Sequence, residues 1–331
     1  MPGVSSGHVP TRVGVKHLAG VLQGFLRIGA LALGTGEDKI TSMAISGGYL
    51  YAGLSTSPGK VVKINLATFT QEATLTLAPG EDIVTSLVVS GSFLYAGTGV
   101  ADPSKIVKIS LDTFAAVATL NIASTSNAAA LVVSGGFLYT LHSGNMPGKL
   151  SKINLTTFAL VSTLGVAEYY LCCSAISGGF LYASTTASTP GKIVKIDLST
   201  FTKDSTLSLA ASGEDDVTGL TASGDNLYAG LSVSPGTVIK ISLTSFTRIA
   251  TLAFDTDENY CRQLLVVGNS LYVALITSPG TVVRVNLSSF AKSGSVVFLT
   301  GEDSAIALAA SGGYLYVGLD TSPGIIVKVV L

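Results

Sequence analysis

The stretch that decides the fold runs from Tyr51 to Asp82 and reads YAGLSTSPGKVVKINLATFTQEATLTLAPGED. The rest of the chain repeats it. Its marker is a Leu-Tyr pair, found at Leu50-Tyr51, Leu94-Tyr95, Leu138-Tyr139, Leu181-Tyr182, Leu227-Tyr228, Leu271-Tyr272 and Leu315-Tyr316. Successive tyrosines are 44, 44, 43, 46, 44 and 44 residues apart. A fixed period in this range marks a repeat architecture, in which each unit buries its apolar faces against its neighbours.

Alternation and turn signals place four strands in each repeat. In the second repeat the strands are predicted at Val84 to Val89, Phe93 to Gly97, Ile106 to Leu111 and Phe114 to Ile122. Seven of the ten prolines (Pro58, Pro103, Pro147, Pro190, Pro235, Pro279 and Pro323) fall between the second and third strands. There a proline removes no ladder hydrogen bond and pre-sets a turn. The glycine that usually follows reads as a conformationally permissive position.

The two ends of the repeat region are complementary. Phe25-Leu-Arg-Ile-Gly-Ala-Leu-Ala-Leu33 matches the fourth-strand segment Phe246 to Phe254, and the chain stops at Leu331, where a third strand ends. Residues 25–331 are 307 residues, seven repeats of about 44. The N-terminal strand therefore completes the C-terminal unit, as in a closed ring that leaves no unit incomplete.

The segments VVSGSFLYAG (88–97), PGKVVKINLATF (58–69) and EATLTL (72–77) resemble the bacterial surface propellers of the YVTN type, and more loosely the NHL and WD40 propellers. The resemblance covers residues 25–331 and lacks the Tyr-Val-Thr-Asn tetrapeptide itself. It implies an all-β, seven-bladed β-propeller of four-stranded blades, with the first strand of each repeat lining a central channel. It also implies that the loops before the first strand and after the second share one face. The mid-strand position of the first strand reads Ser42, Ser86, Ala130, Cys173, Gly219, Gln263 and Ala307. Most are small, as crowding at an axis requires.

Composition narrows the function classes. Net charge is −1, which offers nothing to a polyanion such as nucleic acid. Only 12% of residues are charged, a weakly charged Ser/Thr-rich composition that suits cell surfaces and virions. Mean hydropathy is high at +0.57, yet no apolar run reaches the ~18 residues of a membrane helix. The apolar content is that of short buried strands, and membrane insertion is not expected. The three cysteines, Cys172, Cys173 and Cys261, cannot build a disulfide framework and read as small core residues. Adjacent Cys172 and Cys173 are expected to point to opposite faces of a strand.

Residues 1–24 match no repeat and form a candidate N-terminal arm, with residues 25–331 as the propeller domain. The arm carries Arg12, Lys16, His8 and His17, and the first carboxylate of the chain is Glu37. It has no apolar segment after a basic start, so it is not read as a signal peptide.

Two charged positions recur. The loop before the first strand carries Glu37, Glu81, Glu168, Glu214, Glu258 and Glu302. The third strand carries Lys63, Lys108, Lys152, Lys195, Lys240, Arg284 and Lys328. A carboxylate rim could hold a cation or a basic partner, whereas a recurrence in step with the architecture reads as a contact tying one blade to the next. No catalytic set emerges: His142 has no HxxxH or HxH partner, and no GxSxG or P-loop occurs. No cofactor or metal is expected.

The departures from the repeat mark a candidate binding patch. Thr125, Ser126 and Asn127 stand where other repeats have Gly-Glu-Asp. The following proline loop holds His142, Asn145 and Met146, and the next repeat puts Tyr169 and Tyr170 beside Glu168. Tyr with Asn and Ser supplies apolar contact plus hydrogen bonds, as sugar- and protein-binding surfaces do.

The reading is a non-enzymatic structural or assembly protein, a phage capsid decoration or tail component of a virion. Its arm would contact other protein subunits. The alternatives are a surface or secreted carbohydrate-binding propeller with a glycan as ligand, and an intracellular interaction scaffold. The expected location is the virion or the extracellular surface.

Overall fold

The computed structural model describes residues 24–99, 103–122, 127–144, 147–168, 170–209 and 213–331. They form seven four-stranded antiparallel sheets arranged as the blades of a ring. Blade 1 consists of Ile40–Ser46, Tyr49–Leu54, Lys60–Asn65 and Thr70–Thr76, running from the axis outward. Blades 2 to 6 repeat this order. In the second repeat the strands are Val84–Ser90, Phe93–Thr98, Ser104–Ser110 and Ala115–Ile122, within two residues of their predicted bounds. Blade 7 is a composite, as the sequence predicts. Its outer strand is the N-terminal Leu26–Ala32, antiparallel to the C-terminal Ile325–Val330. Among the described residues no helix is long and apolar enough to cross a membrane.

The Leu-Tyr period has a packing cause. Each Leu is fully buried inside its blade, and each Tyr reaches the next blade's Phe at the turn into the outer strand. The pairs are Tyr51–Phe114, Tyr95–Phe158, Tyr139–Phe201, Tyr182–Phe246, Tyr228–Phe290, Tyr272–Phe25 and Tyr316–Phe69. Their ring centroids lie 5.4 Å apart for Phe25–Tyr272 and 6.0 Å for Tyr228–Phe290, with the others between. Such pairs contribute about 1 kcal/mol each beyond area burial. Six of these phenylalanines hold a left-handed backbone, with φ from 47° at Phe290 to 54° at Phe69. That conformation is unfavourable for an aromatic residue, and it persists because the ring is held in the seam.

The recurrent third-strand cations serve the same seam. Lys108 Nζ stands 4.0 Å from the Phe93 ring centre and 5.6 Å from that of Phe158 in the next blade. Lys152, Lys195 and Lys328 repeat the arrangement, and Arg284 covers Phe25. These cations lie over aromatic rings and do not meet the recurrent glutamates.

The glycine after the loop proline proves to be a matter of space. None of Gly59, Gly148 and Gly191 has a left-handed backbone, so conformational freedom is not what the position demands. Each donates its N–H to a carbonyl of the following blade's entry loop, at 2.8 Å: Gly59 to Glu81, Gly148 to Glu168 and Gly191 to Glu214. A side chain would meet that backbone. The same bonds place the proline loops and the glutamate loops on one face of the ring, as the resemblance implied.

Candidate functional site

Two places on the molecule gather polar chemistry: the glutamate face and the central channel. Both are positioned by the inner strands, which neighbour one another all the way round the ring.

On the glutamate face, the loop arriving from the preceding blade closes on itself and then on the outer strand of the blade it enters. Glu37 accepts from the Gly34 N–H at 2.9 Å, from Gln71 Nε2 at 3.0 Å and from Thr74 Oγ1 at 2.5 Å. Glu81 accepts from the Ala78 N–H at 3.0 Å and Thr119 Oγ1 at 2.7 Å. Glu168 takes Lys203 Nζ and Thr206, Glu214 takes Arg248, Glu258 takes Lys292, and Glu302 takes Arg27. Five of the six are buried, and Glu214 is half-buried. The following residue adds a tie to the proline loop: Ser57 donates to Asp82 at 2.8 Å, Ser278 to Asp303 at 2.8 Å and Ser322 to Asp38 at 2.6 Å. Each of the six glutamates thus fastens its connecting loop to the outer strand of the blade that the loop enters. Burial alone would raise the carboxyls of Glu37, Glu168 and Glu302. Their hydrogen bonds and cationic neighbours outweigh it and hold all three below the usual glutamate range. Their stabilising effect is present above that range and is lost as pH falls through the lowered values.

A first expected result follows. Glu81→Gln keeps one acceptor oxygen but replaces the other with an amide donor, where the Ala78 N–H and the Thr119 hydroxyl both donate. The chain should lose about 1 kcal/mol of stability, the usual worth of one such contact, read as a lower urea midpoint at unchanged m-value. A shift in cation binding with no change in midpoint would instead assign the rim to a ligand.

Of the candidate patch, Thr125, Ser126, Asn145, Met146 and Tyr169 lie outside the described residues. Asn127 opens the inner strand of blade 3, pairs in register with Ser143 and lines the channel. Tyr170 is half-buried with φ 44°, and its carbonyl accepts from the Thr186 N–H at 3.1 Å. His142 is not in the proline loop. It belongs to the second strand of blade 3, Phe137–Ser143, and is fully buried, so it gives no surface to a patch. Its Nε2 shares a hydrogen bond with Ser151 Oγ at 3.0 Å. The physical reason is that both sides of this strand are covered: Leu138, Thr140 and His142 on one side and Tyr139 and Leu141 on the other are all buried.

Burial, with a smaller contribution from Lys149, pulls the His142 imidazole down to about 4. The unfolded chain protonates this group near 6.5, so it binds more protons than the folded chain between about 6.5 and 4. The native advantage of the neutral ring is complete above that window and shrinks as pH falls. At pH 5 the loss should be about 2 kcal/mol, from ~1.4 kcal/mol per pH unit. His142→Gln should flatten the stability profile between pH 6.5 and 4, and an unchanged slope would place the acid sensitivity elsewhere.

The channel encloses about 510 Å³. Its wall includes Thr41, Thr85, Cys172, Thr218, Arg262 and Gln263. Ser42, Ser86, Ala130, Cys173, Gly219 and Gln263 line it as expected. Ala307 is fully buried, and in blade 7 its neighbour Ile306 faces the channel. A β-bulge in every inner strand, as between Ile40 and Ser42, turns two consecutive residues toward the axis and the next blade. Thr41, Thr85 and Thr218 use the first bulge position to donate to the next blade's carbonyl, for example Thr85 to Ala128 at 2.5 Å. Arg262 occupies that position in blade 6. It is the one charged side chain that the described residues place on this wall, and it makes no salt bridge among them. In the sequence Arg262 stands out only as a departure from the repeat. Its place in the bulge, one before the mid-strand residue, is what turns it into the channel.

Comparison with known proteins shows the fold. A solved structure described as Kuenenia stuttgartiensis hydrazine synthase is similar over 92% of this chain and 98% of its own, with a TM-score of 0.76 and 13% sequence identity. At that identity the likeness is one of architecture and carries no activity across. No protein-family model and no curated protein matches the chain. The seven-bladed propeller stands, and it is compatible with enzymes and binding proteins alike.

Proposed function

We propose that this protein is a non-enzymatic assembly component, a propeller displayed on a larger particle such as a virion. The supporting observation is the circumference of blades 2 and 3. Their adjacent outer strands, Ala115–Ile122 (AAVATLNI) and Ala159–Val166 (ALVSTLGV), contain no charged residue. Val117, Leu160 and Val161 stand exposed on them. An uncharged aliphatic edge strand is a template for pairing, and proteins ordinarily guard such edges with charge, proline or a covering partner. The outer strands of blades 1, 4, 5 and 6 are guarded by Glu72, Asp204, Arg248 and Lys292. The unguarded sector suits a neighbouring subunit. The resemblance to YVTN-type surface propellers supports the same reading.

The arm is the second contact in this proposal. It lies outside the repeat and carries Val4, Val9, Val13, Val15, Leu18, Val21 and Leu22 with no carboxylate. Apolar residues of this kind each gain about 1 kcal/mol or more when a partner buries them. The test is sedimentation with the particle or oligomer from which the native chain is isolated. Removal of residues 1–20 should leave the melt unchanged and release the propeller, and Val117→Lys with Val161→Lys should weaken recovery further. A native full-length chain that sediments as a free monomer would sink the proposal and return the carbohydrate-binding reading.

A further inference from the structure

The inner strand of blade 4, Leu171–Ser177, departs from its counterparts in chemistry. Its bulge falls between Leu171 and Ser174, so Cys172 and Cys173 together lie opposite Ser184. A regular strand would send the two sulfurs to opposite faces, as the sequence suggests. The bulge instead turns both toward the inner strand of blade 5. Cys172 Sγ donates to the Val217 carbonyl at 3.1 Å and lies 3.3 Å from Ser184 Oγ. Cys173 Sγ donates to the Thr218 carbonyl at 2.8 Å. Both residues are half-buried and line the channel beside Thr218, Arg262 and Gln263. Both are free thiols.

The two thiols act as one group. The neighbouring thiol and burial raise the Cys172 thiol, and the neighbouring thiol lowers that of Cys173. The Arg262 guanidinium favours the thiolate form of each. Its positive charge also opposes a free metal cation at this point of the wall. Among the described residues no three His, Cys, Asp or Glu side chains gather closely enough to hold a metal ion. A pair of adjacent sulfurs beside a cation, with open channel before them, calls for a neutral soft electrophile that needs two thiols and keeps a substituent of its own.

We propose that Cys172 and Cys173 form a chelating dithiol site in the propeller channel that takes a trivalent arsenical. The reaction balances without an oxidant. In R–As(OH)2 two As–O bonds break and two As–S bonds form. Each hydroxyl leaves as water with one thiol proton, and arsenic stays trivalent with R extending into the channel. Cys261 provides the internal control, because it is fully buried and lies off the channel wall.

The experiment uses the full chain, reduced beforehand with a phosphine, and phenylarsine oxide as the probe. Intact-mass analysis should show one adduct per chain that survives excess monothiol and is removed by a dithiol. Cys172→Ser and Cys173→Ser should each lose it, while Cys261→Ser retains it, with the melting of each variant checked in parallel. Arg262→Met should keep the adduct and tighten cadmium binding about tenfold, close to the 1.4 kcal/mol equivalent of removing one opposing charge. Absence of an adduct on the reduced chain, or its persistence in either single-serine variant, overturns the proposal. Unchanged cadmium affinity in Arg262→Met removes Arg262 from the site.

Discussion

Deletion of residues 1–34 should abolish cooperative folding of the propeller. The segment contains the outer strand of blade 7, Leu26–Ala32, whose register with the C-terminal strand runs from Leu26 opposite Val330 to Ala32 opposite Ile325. Without it the last strand of the chain becomes a bare edge. Ile326, Val327 and Val329, all fully buried, lose the strand that shields them. The deletion also removes Leu33, which is buried in the core of blade 1 and is worth about 2 kcal/mol. It removes Phe25 from its place between Tyr272 and Arg284 in the seam with blade 6. It strips Arg27 from the buried Glu302, and an uncompensated buried charge costs about 3–5 kcal/mol. These losses reach the scale of a whole domain's stability, about 5–15 kcal/mol. Deletion of residues 1–20 touches none of these contacts and should melt as the full chain does. Urea unfolding of the two truncations separates the cases. The same cooperative transition in both would mean that the ring does not depend on this strand.

The parts of this fold that were legible in the sequence are those that repeat for one physical reason. The Leu-Tyr marker keeps its period because each Tyr must meet the next blade's Phe, so seven units and their closure could be read from spacing, and the shared face was what the resemblance to known propellers implied. The inner-strand bulge left no such mark. It inserts a residue among small and polar side chains, where Thr41-Ser42 or Cys172-Cys173 reads equally well as plain alternation. The shared side of the two sulfurs and the channel position of Arg262 were therefore hidden. His142 misled for a related reason. It holds the sixth position of its strand, where Leu54, Leu231, Leu275 and Leu319 are fully buried in other blades, and a polar residue in that place looked like loop. The six glutamates were visible as a recurrence, but the outer-strand partners of five sit about 34 to 38 residues downstream, as with Gln71 and Thr74 for Glu37, and that of Glu302 is Arg27, 275 residues upstream. Neither residue type nor spacing could select those partners.

Gly191→Ala should be the most damaging single methyl in the chain. A Cβ at Gly191 would stand 2.4 Å from the Asp215 carbonyl oxygen, 2.9 Å from that of Glu214 and 3.1 Å from the Asp215 carbonyl carbon. All three obstacles are backbone, so no side chain can swing aside. The glycine cannot retreat either, because its N–H donates to Glu214 and its carbonyl accepts from the Leu209 N–H at 2.9 Å. Relief requires blades 4 and 5 to separate at the face where their loops join. Overpacking of this kind costs about 3 kcal/mol or more where the surroundings cannot yield. The corresponding Gly324 has a milder closest approach, 3.1 Å from the Glu37 carbonyl, and its alanine variant should cost less. A methyl on Gly29, in the outer strand of blade 7, would meet nothing within 4 Å, and Gly29→Ala should fall within about 0.5 kcal/mol of the parent. Urea midpoints of the three variants should rank Gly191 lowest, then Gly324, then Gly29. Equal midpoints for Gly191→Ala and Gly29→Ala would show that the glycine after the loop proline is not there to let two blades touch. A graded series would establish that blade spacing, set by the absence of one carbon atom, is what the Pro-Gly pair maintains in the six repeats that carry it, with Pro103-Ser104 the exception.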